Sequence, residues 1–181
     1  MNPYSDIDIM NQIQSGDVEK LSILYERYKR LLFSYFYRMS GHAQISEDLV
    51  QNVFIRILRF NHQFKGTGSF KTWMYTIAWH EFADHARKNA PFNKMTELSG
   101  IEMAEEATPE TELDQKEEIE LLKKAMGQLD DEHRQVLILS KYQEIRYREI
   151  AEILECSETA VKTRVFRAMN QLKKNMKRLE A

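Results

Sequence analysis

Six side chains between positions 159 and 170 have the types and spacing to read duplex DNA. On a helix, at about 100° per residue, Thr159, Thr163, Phe166 and Asn170 share one face, with Lys162 and Arg167 beside it. Thr and Asn can pair with base edges in a major groove, a Phe ring can meet a thymine methyl, and the cations can hold phosphates. Val161, Val165, Ala168 and Leu172 recur at steps of four, three and four, which makes them an inward stripe opposite that face. A solvated face in a helical bundle is the plainer account of the polar residues. It leaves an outward Phe unexplained, and residues 157–178 hold seven Lys/Arg against one acid.

Such a face needs a rigid mount. Ser157 stands where an N-cap belongs, its hydroxyl able to accept from a free amide of the next turn. Before it, residues 147–154 form a short helix with Ile150, Ala151, Ile153 and Leu154 available for burial, and Glu155 and Cys156 break the rhythm. Two helices joined by a turn of three or four residues, with the small Ala151 at their crossing, make a helix-turn-helix.

A second stretch, residues 64–75, interleaves Phe64, Phe70, Trp73 and Tyr75 with Lys65 and Lys71 around Gly66 and Gly68; Trp79, His80, His85, Arg87 and Lys88 follow. Rings beside cations on a flexible loop suit single-stranded nucleic acid, whose unpaired bases stack while Lys and Arg track phosphates. Phe70, Trp73, Ile77 and Ala78 also share a helical face, so core packing accounts for the same rings.

Nothing recommends catalysis. His80-Glu81 is followed by His85, one residue too far for the zinc-protease spacing, and no further Cys or Glu completes a ligand set. There is no Walker-type phosphate loop and no nucleophile elbow. No metal, cofactor or small-molecule substrate is expected. Cys156 is the single cysteine among 181 residues, so no internal disulfide can form and a reducing cytoplasm fits. No apolar run approaches a membrane span, and residues 1–6 lack a signal pattern, so direct membrane insertion is not expected.

The net charge of −2 is unevenly spread. Residues 1–90 carry +2, residues 91–118 carry −7, and residues 119–181 carry +3. Scarce Gly and Pro favour helix throughout. Apolar periodicity marks helices over residues 5–14, from Asp17 as cap to about Met39 with Gly41 as stop, from Ser46 as cap to about Arg59, and from Ser69 as cap to about Lys88. A linker with Pro91 and Pro109 follows. A helix then begins near Thr111 and Asp114, another is capped by Asp130, and the helix-turn-helix closes the chain. The expected fold is all-α: two small helical domains, each with its own core, joined by an acidic flexible linker, the C-terminal one a helix-turn-helix. The domain bounds are 1–90, linker 91–112, and 113–181.

Three segments in this order resemble the bacterial sigma-70 family of RNA polymerase sigma factors, in its extracytoplasmic-function group. They are Asp48-Leu49-Val50-Gln51-Asn52-Val53-Phe54 with Arg56; the Phe70-Lys71-Thr72-Trp73-Met74-Tyr75 core with Ile77 and Ala78; and Glu149-Ile150-Ala151 with Leu154, followed by residues 161–168. The resemblance implies a promoter-specificity subunit that binds core polymerase, recognises −10 and −35 elements and promotes melting.

Each segment would then have its own target. Asp48, Leu49, Gln51 and Asn52 would dock on the clamp helices of the largest polymerase subunit. Lys65, Gly66, Thr67, Ser69, Phe70, Lys71, Trp73, Tyr75, His80, Arg87 and Lys88 would hold and melt the −10 element, offsetting the few kcal/mol of base extrusion. Thr159, Lys162, Thr163, Arg164, Phe166, Arg167 and Asn170 would read the −35 element, with the second domain near the flap of the second-largest subunit. An anti-sigma factor is a further implied partner.

The chain departs from the family pattern at Asn52, which bears on the polymerase contact; at His80, which bears on −10 preference; at Asp130, which caps a helix where the family commonly has a proline; and at Glu155 and Thr159-Ala160, which bear on promoter sequence rather than fold. The acidic linker reads equally as a polyanion mimic in polymerase channels or as a solvated tether. The alternative function is an ordinary helix-turn-helix regulator with an N-terminal sensing or dimerisation domain. Core polymerase binding separates the two.

Overall fold

The computed structural model describes residues 4–89 and 112–180, with side chains from 117 onward in the second segment. Helix α1 (Asp6–Gln14) opens with a capping box, Ser5 and Asp8 each satisfying the other's backbone amide. A 3₁₀ turn (Val18–Lys20) leads into α2 (Leu21–Ser40), which Gly41 ends in the left-handed conformation at φ 75°. Asp17 makes no side-chain cap; the extra turn stands where the capped helix start was expected.

Helix α3 (Ala43–Arg59) begins one turn before the expected start. Ser46 is fully buried inside it, and its hydroxyl donates to the His42 carbonyl at 2.6 Å rather than capping. The hydroxyl shares the carbonyl four residues back with the Ser46 amide, so it is satisfied inside the helix and is not free to cap it. Ser69 does cap α4 (Phe70–Lys88), accepting from the Thr72 amide at 3.4 Å.

In the second unit, α5 (Glu112–Gly127) precedes α6 (Asp131–Leu137), whose cap is the Asp130 carboxylate accepting from the His133 amide at 2.8 Å. A π turn (Ile138–Tyr142) extends α6. Then come α7 (Tyr147–Ile153) and α8 (Glu158–Glu180). Ser157 caps α8 as expected, its Oγ accepting from the Ala160 amide at 3.1 Å. Glu155 supplies the turn in the left-handed region, φ 51°. The linker expected over residues 91–112 lies outside the described residues, except that residue 112 already begins α5.

The expectation of two separate cores is corrected. The two units are joined through one continuous apolar cluster from Ile9 to Leu172. Polar groups register the join. Arg134 gathers the carbonyls of Met126, Gly127 and Leu129 at 3.1, 3.0 and 2.7 Å and reaches Met39 of α2 at 2.9 Å. A guanidinium suits the negative ends of two helices at once. Buried Gln135 donates to the Tyr35 hydroxyl at 3.3 Å, and the Arg38 guanidinium lies 3.8 Å over the Tyr142 ring.

Candidate nucleic-acid interface

The α8 face has the geometry its spacing predicts. Val161, Val165, Ala168 and Leu172 are buried, while Thr159, Lys162, Thr163, Arg167 and Asn170 are exposed. Phe166 is 68% exposed, an apolar ring left largely in the open on a polar helix face. Thr163 Oγ1 donates to the Thr159 carbonyl at 3.0 Å, and Lys162 pairs with Glu158 at 2.8 Å. Arg164 differs from its neighbours. It is half-buried and held by Glu132 at 2.8 Å, so it braces α8 against α6 instead of facing outward.

The second candidate surface is the loop before α4. Lys65, Thr67, Gly68 and Ser69 are exposed, and Gly66 turns the chain at φ 69°. With Gln63, Phe64, Thr72, Trp73 and Thr76 they line an open hollow of about 250 Å³, and Glu152 of α7 forms part of its wall. Trp73 is half-buried, its ring 5.3 Å from Phe64 and 6.1 Å from Phe70. Gln14 of α1 props the loop, donating to the Asn61 and Phe64 carbonyls at 2.7 and 2.8 Å.

Two of the expected −10 contacts are core residues. Phe70 is 2% exposed and Tyr75 is fully buried, because α4 turns that side toward α2. Tyr75 packs against Tyr35 at 5.4 Å and Phe70 against Tyr28 at 5.4 Å. Burial pushes the Tyr75 hydroxyl far above its ordinary pKa, so it stays a neutral donor. Lys71 is half-buried, while His80, Arg87 and Lys88 are exposed further along α4.

On α3, Asp48, Gln51 and Asn52 are exposed, but Leu49 is 2% exposed and cannot itself touch a partner. Ile55, at 62% exposure, is the apolar side chain that this face does offer. It falls off the Leu49, Val53, Ile57 stripe, and that spacing could have identified it. Beside it an open hollow is lined by Asn52, Ile55, Arg56, Arg59, Phe60 and Glu81. Arg56 pairs with Glu81 and, at 3.0 Å, with Asp84, which also pairs with Arg87. The Arg56 hydrogen bond holds the Asp84 carboxyl below the usual carboxylate range. Thr72, Thr76, Gln14 and Glu152 were not among the expected site residues; Gln14, Thr72 and Glu152 reach the site through groups distant in sequence, and Thr76 lines the hollow one turn after Thr72.

The sigma-70 region 2 family pattern matches residues 24–92, and the sigma-70 region 4 pattern matches residues 119–172. RNA polymerase sigma factor YlaC of Bacillus subtilis is 37% identical over 161 residues, covering 87% of this chain and 92% of that protein. The chain belongs to the sigma-70 family of RNA polymerase sigma factors.

Its relatives place it in the extracytoplasmic-function group. SigW of Bacillus subtilis is 29% identical, covering 94% of this chain and 96% of that one. The fold agrees with that of CnrH, solved with the cytosolic domain of CnrY, at a TM-score of 0.71 and 21% identity, covering 93% and 95% of the two chains. It also agrees with RpoE of Bartonella quintana, solved with the anti-sigma factor NepR, at 0.68 and 23% identity, covering 86% and 96%. A sigma factor is a non-catalytic subunit that binds core RNA polymerase and directs it to promoter DNA. The match of the first unit to region 2 disfavours the reading of that unit as a sensing or dimerisation domain. Among the described residues, no helix of this sigma factor is long and apolar enough to cross a membrane.

Proposed function

We propose that this chain acts in the cytoplasm and divides promoter recognition between its two units: residues 1–90 engage the −10 element and the polymerase clamp helices, and residues 113–181 read the −35 element near the flap. The observation that carries the −35 assignment is the exposed Phe166 between Thr159, Thr163 and Asn170, backed by a buried stripe. A helix so mounted can enter a major groove without losing its own packing. Lys162 and Arg167 take phosphates there, and Arg164 positions the helix.

For the −10 element, the hollow bounded by residues 63–69 and Trp73 has room for an extruded base, with Lys65, Lys71, His80, Arg87 and Lys88 toward the backbone. Phe70 and Tyr75 shape that surface from beneath. On α3, Asp48, Gln51, Asn52 and Ile55 meet the clamp helices while Leu49 supports them. An anti-sigma factor is the natural regulator, as in the complex of RpoE with NepR.

The test is to mix the purified chain with core polymerase and assay complex formation and run-off transcription on promoter libraries. A stable complex with new start sites is expected. A chain that bound DNA alone and ignored core polymerase would overturn the assignment.

A further inference from the structure

Helix α1 precedes the residues that the region 2 pattern matches, yet it is tied to the loop before α4. At its C-terminal end Gln14 Nε2 donates to the Asn61 and Phe64 carbonyls at 2.7 and 2.8 Å. A primary amide carries two N–H donors, so one side chain can bridge two carbonyls three residues apart. The Asn61 carbonyl also accepts from the Phe64 amide at 3.0 Å, and the bridge therefore locks the turn that leads into residues 65–69. One helical end further back, a Cβ placed on Gly66 would stand 3.8 Å from Ile7 Cγ2, so the Ile7 side chain lies against the loop.

The helix that carries these contacts is itself anchored. Asp6 pairs with Arg27 and accepts from the Tyr28 hydroxyl, both on α2. Tyr28 packs against Phe70, and Phe70 against Phe64 at 5.9 Å. Asp6 and Gln14 thus fasten α1 between the aromatic base of the hollow and its loop wall.

That wall has little else to fix it. Trp73 and Thr76 enter the hollow from the regular helix α4, whereas residues 64–69 lie outside any helix. Lys65, Thr67, Gly68 and Ser69 are exposed, so few buried side chains hold their backbone in place. A pocket that must take an extruded base loses affinity and selectivity when one wall can shift.

We infer that Gln14 is a positioning residue for −10 recognition: from α1 it fixes the turn between Asn61 and Phe64, and with it the loop wall of the hollow, in the shape that takes the extruded base. The role deepens the −10 assignment made above and rests on it. Support of the fold alone would lower the melting temperature and leave base selectivity unchanged.

The test uses holoenzyme assembled from core polymerase and the full chain, on a promoter found by the library assay. 2-Aminopurine is placed singly at each non-template position of the −10 element, where its fluorescence reports unstacking. Gln14→Leu removes the donor from an exposed side chain. The open-promoter signal at the extruded position should fall about three- to tenfold. The run-off ratio between the parent −10 element and its single-base variants should narrow with it. Affinity for core polymerase should change by less than about twofold.

Gln14→Lys restores a donor on a long side chain and should recover both signal and selectivity. Glu19→Gln on the Gln14→Leu background makes the same change in net charge at another exposed position and should recover neither. Unchanged selectivity in Gln14→Leu, no rescue by Gln14→Lys, or equal rescue by the charge control overturns the positioning role.

Lys65→Ala with Thr67→Ala, both exposed at the hollow, separates that failure from failure of the −10 assignment. If this pair lowers the signal and Gln14→Leu does not, the positioning role alone falls. If neither variant moves it, the hollow is not the −10 site and both readings fall together.

Discussion

Tyr75 of α4 donates its hydroxyl to Gln143 Oε1, 2.6 Å away and 68 residues along the chain, in the buried seam between the two helical units. Burial keeps the phenol neutral, and the amide has no solvent to turn to. Tyr75→Phe removes the donor and strands the amide oxygen, which costs about 1–3 kcal/mol. Gln143→Leu on the same background replaces both partners by apolar groups and should recover part of that loss. Urea unfolding of the single and double variants checks it, and simple additivity would show that the pair is not coupled.

Phe166 has the opposite environment. Its ring is 68% exposed, so Phe166→Ala should leave stability within about ±0.5 kcal/mol while weakening −35 binding. Thermal melts and promoter-fragment binding, measured on one preparation, separate the two. Thr163 substitution should shift preference at one base pair by about 1–3 kcal/mol.

Arg167 and Arg164, three residues apart on α8, should behave differently. Arg167→Ala should lower the salt dependence of −35 binding by about one phosphate contact, uniformly across sequences. Arg164→Ala should instead lower the melting temperature, because it frees Glu132 and loosens α8 from α6. Binding measured over a range of salt concentrations, with melts in parallel, distinguishes a phosphate contact from a brace.

These assignments show how far the chain can be read without its fold. The α8 stripe and its outward face were legible because one helix period carries both. Ser69, Asp130 and Ser157 were legible as caps because a cap acts within one turn. Asp17 and Ser46 were not, since a 3₁₀ turn intervenes at one and a carbonyl four residues back takes the hydroxyl at the other. The rings of residues 64–75 left two readings open, and the structure sends Phe70 and Tyr75 to the core while Trp73 stays at the rim. The single continuous core was illegible: Gln135, Gln143 and Arg134 join the units through partners about a hundred residues away, and such contacts leave no periodic trace.

Asp84 gives the chain a pH dependence of defined sign. Its folded pKa is lowered, first by the hydrogen bond from Arg56 and further by nearby Arg87. Its contribution is therefore full above the ordinary carboxylate range and is lost as pH falls through the lowered folded value. Asp84→Asn should melt slightly below the parent at neutral pH, within the ~0.2–1 kcal/mol of exposed pairs, and the gap should close on acidification. A gap that widened toward low pH would contradict the sign.

Glu155 offers a test of backbone strain. It occupies the left-handed region at φ 51°, which costs a residue bearing a Cβ roughly 1–2 kcal/mol relative to glycine. Glycine in turn loses more conformational freedom on folding, about 0.5–1 kcal/mol. The ion contact surrendered, Glu155 to His80 at 3.9 Å with both side chains largely exposed, is worth little. The first effect exceeds the second, so Glu155→Gly should raise stability by up to about 1 kcal/mol. Glu155→Ala keeps the Cβ, loses the same carboxylate and should gain nothing. If Gly and Ala gave the same melting temperature, the turn would not be strained, and the carboxylate alone would account for the change.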